Sequence, residues 1–218
     1  GGQITGFAGL VGAGRTETMR AIFGADRLDS GEIYVKGEKV HIRTPKDAIK
    51  KKIAFLTEDR KGQGLVLSLD VRTNLILANM KGFSNGPFLN KGKIEKSGQD
   101  NVESLRIKTP SLDEVTAQLS GGNQQKVVFS RALASGADIL LLNHPTRGVD
   151  VGAKEEIYAL IRDMTDEGKA VIVLGDTTDE CIGLCSRLLV MKDGLVTGEF
   201  DAPADHKPSQ VDVVSLMM

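Results

Sequence analysis

The sequence predicts an α/β fold on a mostly parallel sheet, with a helical region in the middle of the chain and a partial antiparallel β region. Three observations carry this expectation. Short apolar runs alternate with helix-length segments at both ends of the chain, the pattern of strands joined by crossover helices. A glycine-rich segment, GLVGAGRT at 9–16, links the first apolar run to the first helix. Between Val71 and Ser135 the strand pattern gives way to helical periodicity.

Taken in order, Ile4–Ala8 reads as a buried strand, followed by the loop Gly9–Thr16 and a helix to about Gly24. Gly1 and Gly2 before it read either as an added leader or as part of a turn. Ser30-Gly31 marks a turn, and EIYVKGEKVHI alternates around Lys36-Gly37 as a β-hairpin. Thr44-Pro45 starts a short helix, with threonine as N-cap and proline at the first helical position. Ile53–Thr57 is a further strand. The helical region is interrupted by a polar, glycine-containing stretch, Lys81–Gly92. Strand Ile139–Leu142, helix Ala153–Asp166, strand Ala170–Leu174, helix Thr178–Cys185 and strand Leu188–Met191 follow. Leu195–Phe200 pairs with the last of these across Lys192-Asp193-Gly194, and the tail after Asp201, with Pro203 and Pro208, reads as weakly structured or truncated. The implied division is 1–70 and 136–200 as two parts of one core, 71–135 as a helical subdomain, and 201–218 as a tail.

With 218 residues and 40% hydrophobic content, the chain can bury one substantial core and a smaller lobe. It carries 28 basic and 29 acidic residues, so nothing in its net charge argues for nucleic acid as a partner. Cys181 and Cys185 stand four apart on a predicted helix, which suits buried core thiols better than a disulfide or a metal half-site. The composition fits a reducing cytosol. No apolar run approaches the ~18 residues needed to span a bilayer, and no signal peptide is visible.

GLVGAGRT fits the phosphate-binding pattern G-x-x-x-x-G-K-S/T except for Arg15 in the lysine position. Its glycines let backbone amides curl around phosphate oxygens at a helix N-terminus. Gly9, Gly12, Ala13, Gly14, Arg15, Thr16 and the adjoining Glu17 are therefore candidate nucleotide-binding residues, with Thr16 as a magnesium ligand through its hydroxyl. Arginine stays charged and can pair with phosphate, but its planar fork does not reproduce the placement of an ammonium group. A second motif, LSGGNQQ at 119–125, places Ser120 as an N-cap and Gly121-Gly122 at the start of a helix running to about Ser135, another anion-stabilising terminus. A third segment, ILLLNHPTRGVD, ends an apolar strand in Asn143-His144.

LSGGNQQ resembles the signature loop of ATP-binding cassette (ABC) ATPases, and the resemblance implies a P-loop NTPase (RecA-like) core with ATP and Mg2+ as cofactors. In that family the signature loop, Ser120, Gly121, Gly122 and Asn123 in this chain, reaches the γ-phosphate of ATP held by a partner cassette. The end of the ILLLNH strand is where the family keeps an Asp for the magnesium shell and a Glu that polarises the attacking water. Asn143 retains only a neutral carbonyl oxygen, a weak ligand for a hard cation. His144 either marks lost catalysis, the preferred reading, or acts as an unusual base. Glu58 stands at the family's glutamine loop, a weak magnesium ligand, and Asp176 at its switch histidine, where a carboxylate repels a γ-phosphate. Arg15, Glu58, Asn143, His144 and Asp176 thus make five departures in one composite site.

The phrases GLVGAGRTE, EDRKGQGLVL, LSGGNQQKV and PTRGVDVGAKEEIY narrow the resemblance, from Gly2 to about Phe200, to one branch. They are similar to the second cassette of ribose/galactose/xylose-type sugar importers, whose ATPase subunit carries two cassettes in one polypeptide. Arg15 and Glu58 are usual in that cassette and the switch histidine is usually missing there, whereas Asn143-His144 is not usual. The family's first antiparallel strands, with an aromatic that stacks on adenine, are expected upstream of Gly1, so weak nucleotide affinity is expected of this piece alone. The resemblance further implies a partner cassette, with Asp150 at the dimer interface, and a transmembrane permease touched by the loop from Glu58 to about Asp70. It implies an indirect link to a sugar-binding protein outside the cell and a peripheral place on the cytoplasmic face of the membrane. The isolated domain is expected to have little or no ATPase activity. The alternatives are an active ATPase using His144 and a non-transport ABC protein.

Overall fold

Alternation of apolar residues along the first and last thirds of the chain builds a sheet with two buried faces. The computed structural model describes residues 2–218, and Gly1 lies outside them. By internal contacts the chain divides into two compact units. One holds the N-terminal segment through Phe55, Asp138–Pro145 and Ile161–Met218; the other holds Leu56–Ala137 and Thr146–Leu160.

In the first unit the strands are β1 (Gln3–Gly9), β4 (Ile53–Leu56), β7 (Ile139–Asn143), β8 (Ala170–Leu174), β9 (Arg187–Lys192) and β10 (Leu195–Asp201). They lie side by side in the order β10-β9-β1-β8-β7-β4. β1 runs parallel to β8 and β9, β7 runs parallel to β8, and β10 returns antiparallel along β9 with a register shift between Val196 and Gly198. In sequence α1 (Arg15–Phe23) follows β1 and α7 (Thr178–Leu184) joins β8 to β9; α6 (Val151–Asp166), between β7 and β8, lies in the second unit up to Leu160 and in the first from Ile161.

Period-2 alternation sends neighbouring residues to opposite faces of this sheet. Phe7, Leu141, Leu174 and Met191 pack on one face with Met19 of α1 and with Ala48 of the short helix α2 (Pro45–Lys50). Ala8, Leu188 and Val190 pack on the other face with Cys181 and Ile182 of α7. Both cysteines are buried and free, as the sequence suggested. The short hairpin β2 (Ile33–Val35) and β3 (Glu38–Val40) turns at Lys36-Gly37, both left-handed at φ 53° and 82°, the turn predicted there. α2 starts as expected at Thr44-Pro45, with a capping box closed by Asp47.

The segment after Asp201 departs from expectation. It forms α8 (Gln210–Ser215), capped by Ser209, and Val213 and Met217 enter the core under β9. Prolines at 203 and 208 suggested a weakly structured or truncated tail, yet both precede the helix and leave its hydrogen bonds intact.

In the second unit α3 (Val71–Ile76), α4 (Lys91–Ser104) and α5 (Gly121–Ala134) pack together. Ile76, Phe83 and Ile94 form a small core with Ala134. The break expected at Lys81–Gly92 contains a short 3-10 stretch ending at Phe83 and a minimal hairpin of β5 (Ser84–Asn85) and β6 (Phe88–Leu89). Fully buried Asn74 ties the loop before α3 to the segment before α5. It accepts from Val66 N (2.9 Å) and donates to the carbonyls of Val66 and Asp70 and to Thr116 Oγ1. Such a satisfied amide fixes a loop that has little apolar surface of its own.

Candidate functional site

The glycine-rich loop leaves the end of β1 and closes as the first turn of α1. Gly12 and Gly14 adopt φ 87° and 89°, which a side chain opposes, so the loop depends on glycine at both places. Ala13 N donates to Leu10 O at 3.1 Å, Gly194 N donates to Ala13 O, and Thr18 donates through N and Oγ1 to Gly14 O. A methyl group on Gly9 would fall 2.5 Å from Met191 O, so the loop crosses close over β9. Arg15 is half-buried at the helix start, and burial pushes its guanidinium below the usual range. Glu17 is exposed on the first turn of α1.

Asn143 ends β7, buried, and its Oδ1 receives a long hydrogen bond from Thr16 Oγ1 at 3.5 Å. The structure therefore brings Thr16 and Asn143 together. As donors both are neutral oxygens, and no cluster of three or more acidic, histidine or cysteine side chains suited to a metal occurs among the described residues. This pair alone does not fit a magnesium ion, which binds carboxylate and phosphate oxygens.

His144 turns the chain off β7 with a left-handed φ of 50°, its amide donating to Leu174 O at 2.9 Å. Its ring Nδ1 lies 2.9 Å from Asp176 Oδ1. The sequence treated these two as separate departures; parallel pairing of β7 with β8 makes them partners. Asp176 is oriented in turn, its amide donating to Glu180 Oε2 within a capping box that starts α7 at Thr177. A carboxylate on Nδ1 holds the imidazole orientation and fixes which nitrogen carries the proton.

The remaining candidates lie in the second unit. Glu58 forms an ion pair with Arg147 at 2.6 Å, a partner the sequence reading did not supply, although Arg147 stands within the PTRGVD phrase. Ser120 caps α5, its Oγ accepting from Asn123 N at 3.4 Å and from Asn123 Nδ2 at 2.9 Å; Asn123 Oδ1 accepts from Lys108 N. The amides of Gly121 and Gly122 have no acceptor among the described residues and lie at the positive end of the helix. A methyl group on Gly122 would meet Ala153 Cβ at 2.7 Å, so this glycine lets α5 approach α6. Asp150 caps α6 through Ala153 N at 2.9 Å. Lys126, almost wholly buried, reaches Glu156 Oε2 (2.5 Å) and Arg106 O, anchoring α5; its position in the signature phrase held no sign of this.

The family model described as ABC transporter matches residues 1–147. The chain belongs to the ABC transporter family. Among curated relatives of this domain, a putative ribose/galactose/methyl galactoside import ATP-binding protein of Halalkalibacterium halodurans is 50% identical over 198 residues, covering 91% of this chain and 38% of its own length. A ribose import ATP-binding protein of Rubrobacter xylanophilus is 46% identical over 202 residues, covering 92% and 40%. The chain thus spans about two fifths of the length of these relatives. Among solved structures, an ATP-binding cassette of an ABC transporter superposes with TM-score 0.84 at 19% identity, covering 100% of this chain and 88% of that one. A dimeric cassette in a post-hydrolysis state bound to ADP and Pi superposes at 0.77 and 24% identity, covering 92% and 86%. At these identities the likeness establishes the fold, an ABC ATPase with a mostly parallel sheet, small antiparallel sheets and helices. Among the described residues no helix is long and apolar enough to cross a membrane.

Proposed function

We propose that this chain is a nucleotide-binding cassette of a sugar-importing ABC transporter, the second of two in its subunit. In this reading its signature loop serves ATP held by a partner cassette, and its own nucleotide site hydrolyses poorly. The relatives are import ATP-binding proteins for ribose or galactosides, which motivates the substrate class. One observation carries the division of labour. Gly121 and Gly122 present unsatisfied amides at the N-terminus of α5, whereas the end of β7 offers Asn143 and His144 where chemistry on a phosphate calls for carboxylates. Arg15 and the 9–16 loop supply charge and amides for binding ATP. With only the neutral oxygens of Thr16 and Asn143 beside them, magnesium would be held weakly. A permease and an external sugar-binding protein complete the system, and the cassette works at the cytoplasmic face of the membrane.

The test is reconstitution of the complete transporter with Asn143→Asp and His144→Glu together. Turnover is expected to change by less than about threefold. A many-fold rise would show that this site limits the cycle.

A second reading draws on the His144–Asp176 contact at 2.9 Å. A carboxylate-oriented imidazole is a competent general base, able to take a proton from water attacking the terminal phosphate. It predicts turnover at this cassette that His144→Ala abolishes, measured with the partner cassette's own nucleotide site disabled.

A further inference from the structure

Arg60 opens the π-helical turn Arg60–Gly64 of the second unit and is more than nine-tenths buried. Its Nη1 donates to Gln125 Oε1 at 3.2 Å and to Arg147 O at 3.4 Å. Its Nε is buried without a partner. Among the described residues no carboxylate pairs with it, in contrast to Lys126, which has Glu156. Burial alone acts on the guanidinium, lowering its pKa with no opposing carboxylate. A buried cation with no counter-charge is costly unless an anion joins it.

The free edge of this guanidinium faces the start of α5. A methyl group built on Gly121 would stand 3.3 Å from Arg60 Nη2 and 3.2 Å from Gly148 O, and one on Gly148 would stand 4.0 Å from the same Nη2. At this same helix start the amides of Gly121 and Gly122 have no acceptor among the described residues. The two acceptors on Nη1 hold the plane of the fork, which leaves Nη2 close against Gly121, where an added methyl group would crowd it.

We propose that Arg60 completes an anion site at the N-terminus of α5, in which Nη2 joins the amides of Gly121 and Gly122. Its occupant is the terminal phosphate of a nucleoside triphosphate held by another cassette. The choice of occupant rests on the reading of the signature loop as donated to a partner. Arginine suits the role because it stays charged when buried and its hydrogen bonds to phosphate are charge-assisted. A helix terminus alone provides partial charge; the guanidinium adds a full one at a desolvated position.

The experiment uses the isotope-labelled chain titrated with inorganic phosphate, following the amide signals of Gly121 and Gly122 and, separately, those of Gly12–Thr16. The wild-type protein responds at both sets. Arg60→Gln weakens the response at Gly121 and Gly122 by about tenfold or more and leaves that at 12–16 unchanged. Arg60→Lys, which keeps the charge but loses the fork, weakens it less. Because Arg60 also supports Gln125, Gly121→Ala is the second variant; it keeps the guanidinium but presses a methyl group against Nη2, and is expected to weaken phosphate binding equally. An equal response at Gly121 and Gly122 in the wild-type, Arg60→Gln and Gly121→Ala proteins overturns the site. Sedimentation with ATP separates this result from the reading beneath it. ATP-dependent association that Arg60→Gln leaves unchanged overturns the role of Arg60 while donation stands. An Arg60-dependent phosphate response without ATP-dependent association overturns the assigned occupant.

Discussion

The glycine-bearing N-termini of α1 and α5 stand in different surroundings. At the start of α1 the loop holds Gly12 and Gly14 in left-handed conformations, and the side chains around it are Arg15, Asn143 and a His144–Asp176 pair. At the start of α5 Ser120 caps the helix, and the surroundings are braced by Asn74 and by the Lys126–Glu156 pair. In the proposed function the contrast separates binding from hydrolysis. Amides and a helix dipole suffice to hold an anion, whereas activating a water requires a base at a fixed place. The proposed function asks for the first capacity at both termini and for the second at neither.

The largest expected effect breaks this asymmetry directly. Gly121→Asp puts a negative charge into the anion site proposed at α5, and turnover of the reconstituted transporter is expected to fall by about 100-fold, on the scale of losing preorganised donors. If turnover survives it, the two termini are not functionally distinct. Next in size is the scaffold beneath α5. Asn74→Ala removes a fully buried, four-way hydrogen-bonded amide and is expected to cost about 3 kcal/mol. Hydrogen exchange should locate the loss in the second unit, at 66–70 and around Thr116, with the six-stranded sheet still protected.

Alkaline pH should do the reverse and weaken the first unit, because both thiols lie there. Burial raises the Cys181 thiol from an ordinary 9.0 to about 11, and raises that of Cys185 as well. The native state thus keeps protons that the unfolded chain releases. Stability is full below pH 9 and is lost as the pH rises from about 9 towards 11, by on the order of 1 kcal/mol per pH unit for each thiol. Urea melts at pH 7.5, 9 and 10, compared with a Cys181→Ala, Cys185→Ala protein that lacks this dependence, measure it. The smallest effect sharpens the catalytic side: Asp176→Asn, which keeps a hydrogen-bonding group near His144, is expected to alter turnover by less than about twofold. A large loss, with the pH profile of turnover shifted, would instead favour the histidine base.

What the sequence by itself determined is what depends on neighbours along the chain. The alternation of strands and helices, the Lys36-Gly37 turn, the Thr44-Pro45 helix start, the 9–16 loop and the Ser120 cap rest on spacing and backbone preference over a few residues, and they were legible for that reason. The tail was misread because the local signal of Pro203 and Pro208 was weighed without the apolar faces of Val213 and Met217, which find a core only in three dimensions. The chemistry of the departures was likewise tertiary. His144 and Asp176 are 32 residues apart and meet because β7 and β8 lie in register, while Arg60 meets Gln125 across 65 residues. Side-chain pairing at such separations depends on strand register and helix packing, which no local pattern encodes, so residue identity was read from the chain and residue partnership from the fold.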